Sequence, residues 1–384
     1  MTANRPGVVD HTGVQFSIPE PVSLWRVLRR LVSLQRKLKT QERQFADKLR
    51  AALPAAVLAK QPYLSPKQLQ RFTKYWQLAL NVICENFYQL TGQELSEKEH
   101  KNILLLSLFM PLFDDLFDDR LLPYETITKL VTHPEQHTPS GETDQLVREL
   151  YIELLRGVPR RDLFIQHLLE GTHWEKESLK QLDEGISERD LYDITYNKSY
   201  YSLQLFYDTL DHYPPPPMQP MLYALAGLMQ LVNDAFDVWK DTHNGIYTLP
   251  NLYRKYDELQ QLFLDEMSFI NQQLSQLSYN PTAKANFAIT IHALHAMGWL
   301  SLQQLKQATT KISTMAELKT LSRKTLVCDM DTIPQLIKWA RLVRRFSNYH
   351  HAQTPFSHNP NRPAFSAASQ TSGTTTIASP IPAE

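Results

Sequence analysis

Two apolar helical runs in this chain end abruptly in acid, and that pattern limits its possible folds more than any other feature. The first is Asn102-ILLLSLFMPLFDDLFDD, ending in Asp114, Asp115, Asp118 and Asp119; the second is Tyr223-ALAGLMQLV-Asn233-DAFDVWK-Asp241. At 100° per residue Asn233, Asp237 and Asp241 share one helix face, with Asp234 only slightly beyond it. Carboxylates crowded at the end of an apolar run repel one another and are costly to desolvate, so they either face bulk water or hold hard cations. Two buried helices that both turn from apolar to acidic at their C-terminal ends are expected to face each other across an apolar pocket with a charged mouth.

The rest of the chain reads as helical. It has only 11 glycines, is rich in Leu and Gln, and has few alternating Val/Ile/Thr runs, which argues for an all-α fold with one large core. Residues 1–22 read as an irregular arm, 23–350 as one α-helical domain, and 351–384 as a disordered Ser/Thr/Pro-rich tail. Lys+Arg and Asp+Glu balance at 40 each, so the overall charge points to neither nucleic acid nor an anionic membrane and leaves polyanion binding to local clusters. Cys84 and Cys328 match neither a disulfide framework nor a zinc pattern, which makes a reducing, cytoplasmic location the default expectation. There is no signal-peptide core, no stretch of apolar length to span a bilayer, and a homodimer is left open.

Local signals set the helix starts. Ser65-Pro66 predicts a cap and first turn for a helix over 65–91 that ends near Gly92 and buries Phe72, Tyr75, Trp76 and Phe87. Ser96 with Glu99 has capping-box spacing, and Ser187 caps a Tyr-rich helix over 186–210. Pro111 should bend its helix and free a carbonyl. Further helices are expected over 23–53, 142–156, 160–169, 252–277, 282–308, 314–330 and 333–349. The basic outer face of the first reads as a solvated surface.

With these residues in place, the chain resembles the class I isoprenoid synthases, the group that includes terpene synthases and trans-prenyl diphosphate synthases. Phe113-DDLFD-Asp119 is similar to their first aspartate-rich motif, DDxxD, with Asp114, Asp115 and Asp118 at its acidic positions. Gly227-LMQLVNDAFDVWK-Asp241 is similar to the second motif of prenyl synthases, GxxxQxxDDxxDxxxD, with a shorter glycine-to-glutamine step and Asn233 for the first Asp. The same segment resembles the terpene synthase triad of Asn, Ser/Thr and Glu, as Asn233, Asp237 and Asp241. Gly245-IYTLP looks like the GxxTLP turn of prenyl synthases, and Lys198-Ser199 like their Lys-Thr pair. The Arg-Arg-Gly and Gly-Gly-Lys-Arg segments of the chain-elongating members are absent.

The resemblance implies a single-domain helical bundle around a central apolar cavity and a Mg²⁺-dependent reaction on an allylic prenyl diphosphate. Three Mg²⁺ shared with the diphosphate would be held by Asp114, Asp115, Asp118 and Asp119 on one side and Asn233, Asp234, Asp237 and Asp241 on the other. Arg189, Lys198 and Lys240 would neutralise the diphosphate, with Arg344 and Arg345 as weaker candidates. Phe109, Met110, Phe113, Tyr192, Tyr196, Tyr200 and Phe236 would line the cavity, Phe109 and Met110 forming its floor. The missing basic segments tilt the reading toward a one-substrate terpene synthase, with a chain-elongating or head-to-head condensing prenyltransferase as the alternative. More remote are a di-iron bundle, suggested by the ExxH spacings of Glu97/His100 and Glu170/His173, and a non-catalytic helical binding protein. His292 and His295 read as hydrogen-bonded structural histidines.

Overall fold

The structure, a computed structural model, describes residues 21–53, 65–118, 121–328 and 332–349. The tail expected over 351–384 and nearly all of the arm expected over 1–22 lie outside the described residues. Among the described residues every regular element is helical, with fourteen α-helices and no strand, as the glycine-poor sequence implies. None of these helices is long and apolar enough to cross a membrane.

Helix α1 (Leu24–Ala52) opens on Ser23, whose hydroxyl accepts the Arg26 N–H. Helix α2 (Pro66–Leu78) opens on a reciprocal Ser65–Gln68 capping box and runs into a π-helical turn, Ala79–Cys84, then α3 (Glu85–Thr91). Gly92 stops this rod in the left-handed region at φ 77°, where a missing Cβ removes the usual clash. The helix expected over 65–91 is therefore continuous but carries a wide turn, a one-residue insertion that hydrophobic periodicity does not register.

Helix α4 (Glu97–Asp118) begins with the expected Ser96–Glu99 box and runs through Pro111. Next come α5 (Tyr124–Thr132), α6 (Glu142–Gly157), α7 (Arg161–Ser178) and α8 (Glu188–Asp208). Helix α7 continues past Gly171, nine residues beyond the 160–169 expected; one glycine costs a helix only about 1 kcal/mol relative to alanine, and burial of Leu168, Thr172 and Glu175 along one face outweighs it.

Helix α9 (Gln219–Asn244) leads to α10 (Tyr256–Gln276) and α11 (Pro281–Ala308). The helix expected over 314–330 does not form; α12 (Met315–Lys319) and α13 (Arg323–Leu326) replace it. The hydroxyl of Ser322 accepts the Thr325 N–H and starts a new helix where the pattern alone would continue the old one. Helix α14 (Ile333–Ser347) closes the described chain.

The core centres on α9, which packs against α8, α10 and α11. Two glycines set how closely these helices approach. A Cβ on Gly227 of α9 would stand 2.2 Å from the Tyr196 ring of α8, and one on Gly298 of α11 would stand 2.5 Å from Val232 of α9.

The far side is clasped by a buried polar chain. Asn271 of α10 donates to the carbonyls of Phe346 and Tyr349 at 2.8 and 3.0 Å, so its Oδ1 must accept from His292 Nε2 at 2.9 Å. That leaves His292 Nδ1 as an acceptor for His295 Nδ1–H, 3.1 Å away. Burial holds both rings neutral, pushing His295 down to about 3 and His292 well below its ordinary value.

Candidate active site

At a helix C-terminus the dipole disfavours a carboxylate, so neighbouring groups decide what the acids become. On α4, Asp115 is met by Arg71 of α2. Nη1 of Arg71 donates to both carboxylate oxygens at 2.8 and 3.0 Å, and Nη2 donates to the Pro111 carbonyl at 3.1 Å. Asp114, half-buried on the same turn, lies within electrostatic reach of Tyr75 on α2. Burial, then the charges of Asp114 and Glu175, push the Tyr75 phenol far above its ordinary value, so it stays protonated. The side chain of Asp118 and the whole of Asp119 lie outside the described residues.

On α9 the acids are deeper. Asp234 is 4% exposed and Asp241 8%, whereas Asp237 is half-buried and Asn233 exposed. The occupied face is thus rotated from the expected one: it centres on Asp234 and Asp241, which seven residues bring to within roughly 20° of each other, and leaves Asn233 at its wet edge. Gln230, one turn earlier, donates to Asp234 Oδ1 at 2.8 Å. Burial raises Asp234 to about 7. Burial, then the charges of Asp234 and Asp237, raise Asp241 to about 8.

Helices α4 and α9 share no extensive contact; the charges of α7 and α8 connect them. Glu175 of α7, 5% exposed, forms a 2.7 Å ion pair with Lys198 of α8. Glu175 acts with Asp114 on Tyr75, and Lys198 acts on both Asp234 and Asp241, partly offsetting their rise. A path of charge therefore runs from Arg71 and Asp115 through Asp114, Tyr75, Glu175 and Lys198 to Asp234 and Asp241.

The other candidate cations stand farther out. Lys240 is exposed and reaches Asp237 at 3.3 Å; Arg189 is exposed in the first turn of α8 and pairs with Asp193 at 3.7 Å. Arg344 and Arg345 are exposed in the last turn of α14.

The aromatic candidates divide into two sets. Phe109 and Phe113 are fully buried and stack on each other at 5.0 Å, and Phe109 stacks on Tyr151 of α6 at 5.4 Å, with Met110 also buried. Tyr196 and Tyr200 instead meet Tyr223 at 5.5 and 5.3 Å, near the start of α9 and ahead of its acids; Tyr192 and Phe236 are half-buried. An apolar cavity of about 580 Å³ opens between α1, α2, α11 and α14, and none of the candidate site residues lines it. The central apolar cavity expected between the acid clusters is thus not this one.

All-oxygen donors, two of them buried carboxylates that hold protons near neutrality, match the chemistry of a hard divalent cation. Among the described residues no three His, Cys, Asp or Glu side chains converge as a metal site. Both ExxH pairs lie on the surface, with Glu97, His100, Glu170 and His173 all exposed.

The sequence pattern alone does not mark Arg71, Glu175 or Gln230 as site residues, and it places Tyr75 in the core. Arg71 and Tyr75 are four residues apart, on one face of α2, and that spacing was the available signal. Glu175 was hidden because α7 was expected to stop before it. No protein-family model and no curated protein matches this sequence.

Proposed function

We propose that this chain is a Mg²⁺-dependent class I terpene synthase that ionises an allylic prenyl diphosphate, the carbocation then cyclising or being quenched by water. The observation that carries the reading is the charge path joining the two acid-ended helices, because a diphosphate bound between them would engage both ends at once. Mg²⁺, when bound, would supply positive charge to the departing diphosphate. Asp114 and Asp115 from one side and Asp234, Asp237 and Asp241 from the other would hold it. Lys198, already beside the α9 acids, is the cation best placed to meet a diphosphate oxygen, and the protonated Tyr75 is a neutral donor next to Asp114. Tyr196, Tyr200 and Tyr223 offer ring faces to a cation formed on the apolar side of the acids.

One observation favours a second reading within the same fold. The buried pair Asp234 and Asp241, with Gln230 bonded to Asp234, follows the QxxDDxxDxxxD pattern of prenyl synthases more closely than the Asn233-centred triad. A prenyl-transferring or condensing activity is therefore the alternative.

The test is incubation of purified protein with geranyl, farnesyl and geranylgeranyl diphosphates, with and without isopentenyl diphosphate and Mg²⁺. Metal-dependent product from one allylic substrate alone supports the terpene synthase. A requirement for isopentenyl diphosphate supports the second reading, and no turnover with any combination contradicts both.

A further inference from the structure

An amphipathic helix ordinarily buries its apolar stripe and turns its charges to water. Helices α1 and α14 depart from this on one shared side. On α1, Trp25, Leu28 and Val32, spaced three and four apart, are 74, 40 and 44% exposed. On α14, Ile333, Leu336 and Ile337 are 73, 43 and 47% exposed. The two helices pack against each other, and Leu28, Val32 and Leu336 also line the 580 Å³ apolar cavity. An exposed apolar surface of this extent marks an interaction site.

The charge around it is predominantly basic, although Lys37 of α1 pairs with Glu85 of α3. Between Leu24 and Thr40 there are six basic residues and no acidic one, α14 has four and none, and α2 and α11, the other walls of the cavity, contain no acidic residue. Arg29, Arg36, Lys74 and Arg341 form no ion pair among the described residues. Elsewhere on the surface cations find acids, as in Lys101–Glu153, Lys255–Glu188 and Lys306–Asp257. In a chain with equal numbers of acids and bases, this is a local concentration.

We propose that the α1–α14 face docks on an anionic lipid bilayer. Apolar side chains flanked by Lys and Arg, with an exposed Trp at one end, are the chemistry of a helix lying in the headgroup region. The cavity between the helices gives an acyl chain a place to enter. A second copy of this chain is a poor occupant, since two such faces would bring like charges together. The inference does not rest on the catalytic reading, because none of its residues belongs to the candidate active site.

The experiment is co-sedimentation of the full-length protein with vesicles of phosphatidylcholine alone and of phosphatidylcholine mixed with phosphatidylglycerol, at low and high salt. The two variants are Arg29→Glu/Arg36→Glu/Arg341→Glu and Trp25→Ser/Leu336→Ser, with native helicity checked by circular dichroism. The wild type should bind the phosphatidylglycerol vesicles, and salt should weaken that binding. The charge-reversed variant should lose about tenfold or more in affinity, and the apolar variant should also bind less. Absence of wild-type binding to phosphatidylglycerol vesicles, or equal binding by the charge-reversed variant, would overturn the proposal. So would binding to an acidic amphipathic peptide but not to vesicles, or a stable dimer in solution that the apolar variant dissociates.

Discussion

The acids at the end of α4 and those near the end of α9 follow the same sequence pattern, yet their surroundings treat them oppositely. Asp115 receives a guanidinium from α2 that binds both its oxygens. Asp234 and Asp241 are deeper, and Lys198, which acts on both, is already engaged by Glu175. Asp115 is neutralised within the fold, whereas Asp234 and Asp241 hold protons, at about 7 and 8. An apolar-to-acid run thus predicts a cluster of carboxylates but not their charge, which is set by residues on other helices.

The largest expected effect comes from removing the uncompensated end. Asp234→Asn and Asp241→Asn should each lower turnover by about a hundredfold or more, measured as diphosphate release. Both should raise the melting temperature of chelator-treated protein, because a neutral amide relieves repulsion. Asp115→Asn should do the opposite to stability, and a rise there would erase the contrast between the two ends.

Next is the connecting pair. Lys198→Met leaves Glu175 buried without its cation and should cost about 3 kcal/mol in denaturant unfolding; adding Glu175→Leu should recover most of it. Equal losses in the single and double variants would show that the pair does not act as a unit.

The two regions also differ in how they respond to pH. The folded-state pKa values of Asp234 and Asp241 are raised, so the native state binds more protons than the unfolded chain, and stability should fall as pH rises through about 7 to 8. Without metal the slope there should be about 1 kcal/mol per pH unit, and Asp241→Asn should flatten it. His292 and His295 act on the other limb. Their folded-state pKa values are depressed and the unfolded chain takes up protons first, so their contribution is lost as pH drops below about 6, where it opposes the gain from protonated Asp234 and Asp241. A metal-free stability profile that is flat from neutral to mildly alkaline pH would contradict the charge state assigned to α9. Smallest is Arg71→Ala, about 1 kcal/mol or less, because the Arg71–Asp115 pair is partly exposed.

Much of this was legible from residue order. The scarcity of glycine and alternating strand patterns gave the helical class, and Ser65, Ser96 and Ser187 marked helix starts that the structure keeps. Asp114, Asp115 and Asp118 and the acids of the second cluster fall on the helices expected of them. The contributions from other helices were not legible: Arg71 reaches across 44 residues to Asp115, and Glu175 pairs with Lys198 on the next helix. The rotation of α9 was hidden for a related reason. At 100° per residue Asn233 and Asp234 are both plausible edges of one face, and the choice is made by α8 and α11 closing on Gly227 and Val232.

The most direct test of the contrast is the melting temperature of the protein with Mg²⁺ and inorganic diphosphate together, compared with either alone. Wild type should be stabilised by the combination and little by diphosphate alone, and Asp241→Asn should lose that stabilisation although it melts higher without ligand. No shift in the wild type, or an equal shift in Asp241→Asn, would contradict the claim that the acids of α9 await a cation carried with a diphosphate.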